Sequence, residues 1–252
     1  MDCKEFDGRV AIVTGGGQGI GQAYCHGLAE AGAYVAVADI NIENGQMTAS
    51  DIVSRGGLAT FIEVDVANPA SVEAMAHSVA SSLGRIDFLV NNAAIFHGMR
   101  LKSLMTIETA YYERIIATNM SSVLHCTRAC VPAMLMRGGG AIVNQSSTAA
   151  WMAGGYYSVA KAGVNSLTVC LASELGPRGI RVNAIAPGTT DTEATRMIAS
   201  IDQRKEATQA LPLQRMGSTE DMVGACLFLL SERSSWITGQ ILAVDGGFTK
   251  RI

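Results

Sequence analysis

The chain has 252 residues, enough for one large domain or two small ones, and a domain of that size buries roughly 70–75% of its unfolded surface. Apolar residues make up 48% and charged residues only 16%, which points to a well-filled core with further surface buried between subunits and removes any need for disulfides or metals. A formal charge of −3 with scattered Lys and Arg excludes the basic field that nucleic acid requires, and without a signal pattern or a run of about 18 apolar residues a cytoplasmic protein is expected.

Val10–Thr14 is a short apolar run bounded by glycine, the pattern of a strand buried on both faces. It flows into Gly15-Gly16-Gly17-Gln18-Gly19-Ile20-Gly21 and then a helical stretch to about Ala31, which Gly32 stops. Strand, glycine loop and helix together suit a phosphate: the glycines let the backbone approach closely, and the free N–H groups of the helix start supply partial positive charge. No Gly-Lys-Ser/Thr follows, so this is not a P-loop. A second strand, 34–39, ends in Asp39, about 20 residues beyond the loop. A carboxylate there accepts from adenosine ribose hydroxyls and repels a 2′-phosphate, while Gln18, Ile40 and Asn41 offer no cation. NAD is therefore expected over NADP. The competing reading is that Asp39 caps the next helix.

A helix over 42–54 leads to a third strand, 59–66, whose end would carry Asp65 and Val66 where open α/β sheets bind ligands. A helix over 71–83, a strand over 86–90 and then Asn91-Asn92-Ala93-Ala94 continue the alternation, which implies parallel pairing. The paired asparagines also suit a turn. Residues 108–137 read as one long helical region around Asn119, a weak helix former that either bonds back to its own helix or reaches a functional water. A fifth strand, 141–144, precedes Ser146-Ser147. On the helix beyond, Tyr157 and Lys161 stand one turn apart. An ammonium beside a phenol, whose ordinary pKa is about 10, favours the phenolate and makes Tyr157 a usable proton acceptor. That helix runs to about Gly176. After it come a strand over 181–185, Pro187-Gly188-Thr189-Thr190-Asp191-Thr192, a loosely helical lid around 190–215, a helix over 220–230 and a last strand over 240–244. The six cysteines show no metal-site spacing and read as reduced core residues.

Thr14-Gly15-x-x-x-Gly19-x-Gly21, Asp39, Asn91-Asn92-Ala93-Ala94, Asn119, the serine pair, Tyr157-x-x-x-Lys161 and Pro187-Gly188-x-x-x-Thr192 together resemble the short-chain dehydrogenase/reductase family over essentially the whole chain. The resemblance implies α/β architecture in a single Rossmann-type domain, residues 1–252, with a doubly wound parallel sheet of about seven strands and helices on both faces. It further implies an oxidoreductase that moves hydride between NAD and a secondary alcohol or ketone. Tyr157 would be the general acid/base, and Lys161 would tune it and hold the nicotinamide ribose. Ser147 would bond the substrate oxygen and Asn119 would position a water. The cofactor contacts implied are Gly15, Gln18, Gly19, Ile20, Gly21, Asp39, Asp65 and Val66 on the adenosine side with Asn92 and Ala93. Tyr157, Lys161, Pro187, Gly188, Thr190 and Thr192 serve the nicotinamide side. A homotetramer is also implied.

Two departures stand out: Ala94 replaces the family's usual glycine, and the loop before Tyr157 is a few residues short, which leaves Ser146 open beside the favoured Ser147. Tyr156 reads as packing or pocket wall. A 3-oxoacyl reductase and a non-catalytic dinucleotide-binding regulator are the alternatives, the latter disfavoured because Tyr157, Lys161 and Asn119 are all present. Ile95, Phe96, Trp151, Met152 and Met197 are candidate pocket walls that suit an apolar or cyclic substrate, and His97 reads as a loop surface residue.

Overall fold

Each short apolar run becomes a strand in the computed structural model, which describes residues 4–96, 98–100, 102–198, 200–209 and 211–250. The strands are β1 (Val10–Thr14), β2 (Tyr34–Asp39), β3 (Leu58–Glu63), β4 (Phe88–Asn91), β5 (Gly140–Gln145), β6 (Ile180–Pro187) and β7 (Ile241–Val244). They form one seven-stranded sheet in the order β3-β2-β1-β4-β5-β6-β7, and every pairing is parallel. Chain direction through the sheet reverses between β1 and β4, where a crevice opens at the strands' carboxyl ends.

Among the helices are α1 (Gly19–Glu30), α2 (Ile42–Ser54), α3 (Pro69–Leu83), α4 (Thr109–Ile116), α5 (Ser122–Leu135) and α6 (Gly155–Leu175). Later come α7 (Glu193–Ile198), α8 (Ile201–Gln209) and α9 (Glu220–Leu230). Strand side chains alternate between two cores. From β1, Val10 and Ile12 pack with α3, α5 and α6 on one face, while Ala11 and Val13 pack with α1, α2 and α9 on the other. Helix ends follow local chemistry: Asn41 accepts from the Asn44 N–H at the start of α2, and Asn68 with Pro69 opens α3, which ends on the left-handed Gly84. The Arg181 guanidinium donates to the carbonyls of Leu229, Leu230 and Ser231, closing the end of α9 against β6.

Differences from expectation at β3, in the region 108–137 and around 190–215 bear on the site. β3 stops at Glu63 rather than 66, because it is an edge strand whose only partner, β2, ends at Asp39 opposite Glu63. Asp65 and Val66 thus lie on the loop beyond the strand. The helical region 108–137 is broken by a π turn, Ala117–Ser121, with Asn119 inside it. Residues expected to be loosely helical instead include two defined short helices, α7 and α8. Among the described residues, no helix is long and apolar enough to cross a membrane.

Candidate active site

At the carboxyl ends of the strands lies a cleft of about 940 Å³. Each of the sixteen residues expected to touch a dinucleotide lines it, from Gly15 through Asp39, Asp65 and Asn92 to Thr192, and so does Ser147. One end is a backbone construction. Gly15 has a φ of +65°, and a Cβ there would sit 2.8 Å from the Ala93 Cα; at Gly21 a Cβ would meet the Gly15 carbonyl oxygen at 2.0 Å. Only glycine allows loop, helix and β4 to approach this closely. The Thr14 hydroxyl accepts from the N–H groups of Asn92 and Ala93 at 3.0 and 3.2 Å, and Asn92 Nδ2 donates to the carbonyls of Thr14 and Gly15, both at 3.0 Å. Asn92 therefore straps the loop to β4.

Asp39 joins the same loop to β2. Its carboxylate accepts from the Gly17 N–H at 2.8 Å and the Asn41 N–H at 2.9 Å. Its contacts are thus with the loop and the turn after β2, and it still lines the cleft. The first turn of α1 carries no side-chain cap and no acid, so its N–H groups remain available to an anion. Glycines that admit close backbone approach, an uncapped helix start and a carboxylate at the end of β2 fit a dinucleotide.

The other end is built from side chains on β5 and α6. Tyr157 and Lys161 share one face of α6, with Lys161 Nζ 5.8 Å from the Tyr157 ring centroid. Nζ donates to the Gln145 carbonyl at 2.7 Å. Of the two serines, Ser147 is the one that engages the Tyr157 hydroxyl, while its Oγ also accepts from the Ala149 N–H at 3.1 Å. The Ser146 hydroxyl turns the other way, donating to Asn165 Oδ1 at 2.5 Å and the Lys161 carbonyl at 3.4 Å, which ties α6 to β5. A second tie runs from Asn91 to Asn144 at 2.9 Å and on to Thr168 at 3.0 Å.

Electrostatics here differ from the sequence expectation. Burial pushes the Tyr157 phenol up to about 12, opposed by its bond to Ser147, and pulls Lys161 down to about 8. The ammonium itself is committed to the Gln145 carbonyl. Asn119 departs as well. It neither bonds back to its helix nor lines the cleft; its Oδ1 accepts from the Ile95 N–H at 2.7 Å and its Nδ2 donates to the Ile95 carbonyl at 3.0 Å. The π turn directs the amide at this backbone, so Asn119 holds the loop after β4.

Ile95, Phe96 and Met152 line the cleft, and the Phe96 ring lies 5.4 Å from that of Tyr157. Trp151 and Met197 do not line it: they stand 36% and 62% exposed, because the short 3₁₀ turn Thr148–Trp151 and helix α7 carry them outward. Tyr156 is packing, buried with its hydroxyl on the Arg100 carbonyl and its ring edge-on to Tyr111. His97 lies outside the described residues. Sequence reasoning missed Arg114, Thr118 and Gln145, which also line the cleft. Arg114 and Thr118 are four apart on one helical face, and Gln145 is a polar residue ending a mostly apolar strand; both signals were legible.

A family model described as enoyl-(acyl carrier protein) reductase matches residues 15–249. An uncharacterized oxidoreductase of Mycobacterium tuberculosis is 54% identical over 242 residues, covering 96% of this chain and 98% of that protein. Among solved structures, a 7α-hydroxysteroid dehydrogenase complexed with NADH and 7-oxo glycochenodeoxycholic acid is similar at 34% identity and a TM-score of 0.93, over 98% of this chain and 96% of that one. A putative NAD(P)-dependent gluconate 5-dehydrogenase from Beutenbergia cavernae with bound NADP is similar at 35% identity and a TM-score of 0.91, over 97% and 98%.

Proposed function

For a chain that belongs to the short-chain dehydrogenase/reductase family and is thereby an oxidoreductase, we propose NAD-dependent interconversion of a secondary alcohol and a ketone. The observation that carries this reading is the cluster of Ser147, Tyr157 and Lys161 in the same cleft as the glycine loop and the uncapped start of α1. When bound, the nicotinamide supplies or accepts the hydride. Tyr157 and Ser147 hold the substrate oxygen. A phenol raised to about 12 keeps its proton near neutral pH, which suits Tyr157 to donating that proton to the oxygen of a ketone undergoing reduction. Lys161, anchored on Gln145, keeps a donor beside it.

NAD is favoured by the Asp39 carboxylate at the end of β2, beside Ile40 and Asn41. Ile95, Phe96 and Met152 favour an apolar or cyclic substrate. One domain performs the whole reaction, with a lid in the described part of the stretch 190–215, where Thr192, Glu193, Ala194 and Thr195 line the cleft. Similarity to a 3-oxoacyl-[acyl-carrier-protein] reductase of Escherichia coli, 36% identical over 245 residues, favours a second reading, reduction of a 3-oxoacyl thioester. The test is a panel of ketones, cyclic ketones and a 3-oxoacyl thioester with NADH and NADPH, read by cofactor absorbance. Turnover of a cyclic ketone with NADH preferred is expected. Equal kcat/KM for the two cofactors would overturn the NAD assignment, and tight NADH binding without turnover would favour the regulator.

Assembly as a homotetramer goes with this reading. Supporting it, β7 is an unpaired sheet edge where Leu242 is 39% exposed, and Trp236 nearby is 97% exposed. Light scattering at micromolar concentration should give four chain masses; a monomer mass refutes it.

A further inference from the structure

Gln145 ends β5 and does two things at once. Its backbone carbonyl receives the Lys161 ammonium at 2.7 Å. Its side-chain Oε1 receives the Tyr24 hydroxyl from α1 at 2.8 Å, in a setting where Tyr24 is wholly buried. Tyr24 fixes which way the amide faces. A buried phenol must place its proton on an acceptor, and Oε1 is the acceptor beside it; the reverse orientation would set the phenol proton against an N–H₂ group. The amide nitrogen is thereby turned from the core. It has no hydrogen-bond partner among the described residues and is not fully enclosed, which leaves it free for an acceptor in the cleft that Gln145 lines. The side of β5 that otherwise carries Ala141 and Val143, packed toward α1 and α9, thus ends in a hydrogen-bond donor preset by Tyr24, on the residue whose carbonyl holds Lys161.

We infer that Gln145 is a positioning residue: its carbonyl holds Lys161, and its amide, locked by Tyr24, donates to an acceptor oxygen on the nicotinamide half of a bound dinucleotide. The inference rests on the dinucleotide reading above. It assigns Tyr24, which is walled off from the cleft by burial, an indirect part in cofactor affinity. An apolar residue at 145 would still offer the carbonyl to Lys161 but would leave the nicotinamide half without this donor.

The test is binding, separated by ligand half. NADH and ADP, which lacks the nicotinamide-side ribose and ring, are titrated by fluorescence and calorimetry into the wild type, into Gln145→Glu, which retains an oxygen for Tyr24 while replacing the donor, and into Gln145→Leu combined with Tyr24→Phe, which strands no buried hydroxyl. Both variants should bind NADH about five- to tenfold more weakly and ADP as the wild type does. Tyr24→Phe alone should show a smaller loss, since the amide then has no fixed orientation. Unchanged NADH affinity, or equal losses for both ligands, would overturn the role of Gln145 while leaving the dinucleotide reading intact. Wild type that binds neither ligand overturns both.

Discussion

The two ends of the cleft reach the same surface by opposite routes. At the glycine-loop end the functional groups are backbone N–H donors, held because Gly15 and Gly21 let three chain segments touch and because Thr14, Asn92 and Asp39 lace them together. The buried Asp39 carboxylate there is compensated by two backbone N–H bonds. At the other end a buried ammonium stands beside a partly buried phenol, and desolvation displaces both from their ordinary ranges, Tyr157 upward and Lys161 downward. A binding end can rest on shape, whereas a reacting end has to hold poorly solvated groups at an energetic cost that the surrounding packing offsets.

The difference can be broken most sharply at Tyr157. Tyr157→Phe removes one hydroxyl from the reacting end and should lower kcat by about 10²–10⁴-fold while leaving the NADH dissociation constant unchanged. Turnover near wild type would sink its assignment as the proton donor. The converse substitution tests the shape-built end. Gly21→Ala places a methyl 2.0 Å from the Gly15 carbonyl, so loop and helix must separate; stability should fall by about 1–3 kcal/mol and NADH binding should weaken with it. A urea midpoint and affinity equal to wild type would show that the loop is not closely packed.

The smallest effect is a pH signature of the buried ammonium. Lys161 is lowered from 10.5 to about 8, so between those values the unfolded chain holds a proton that the folded chain has released, and the contribution of this group to stability rises with pH across that window. Below about pH 8 the folded protein carries the full burden of the enclosed charge. Lys161→Met should therefore be the more stable protein at pH 7, and its advantage should shrink as pH climbs from 8 towards 10. An advantage that stays constant over that range would mean that Lys161 titrates as it does in water.

Legibility in the sequence followed the same division. β1, the glycine loop, β2 and Asp39 were readable to the residue, because apolar runs, glycines and strand ends act locally. The Tyr157 and Lys161 pair was readable too, since helical spacing alone puts them on one face. Asn119 was recognised as out of place in a helix, yet its partner is the Ile95 backbone, 24 positions away, which no local pattern reveals. Trp151 and Met197 were assigned to the pocket from apolarity, but a 3₁₀ turn and a short helix decide where those side chains go.

By itself the sequence determined the parallel alternation of strand and helix, the phosphate-type loop, and the presence of a tyrosine, a lysine and a serine near one another, all of which depend on periodicity and short spacings. Tertiary structure alone decided that Ser147 and not Ser146 faces Tyr157, that desolvation is the largest influence on both Tyr157 and Lys161, and that Gln145 joins β5 to Lys161 through its carbonyl and to Tyr24 through its side chain. Those outcomes depend on what surrounds a side chain in space: desolvation, and the competition of distant donors for one acceptor, arise only after β5, α1 and α6 have packed.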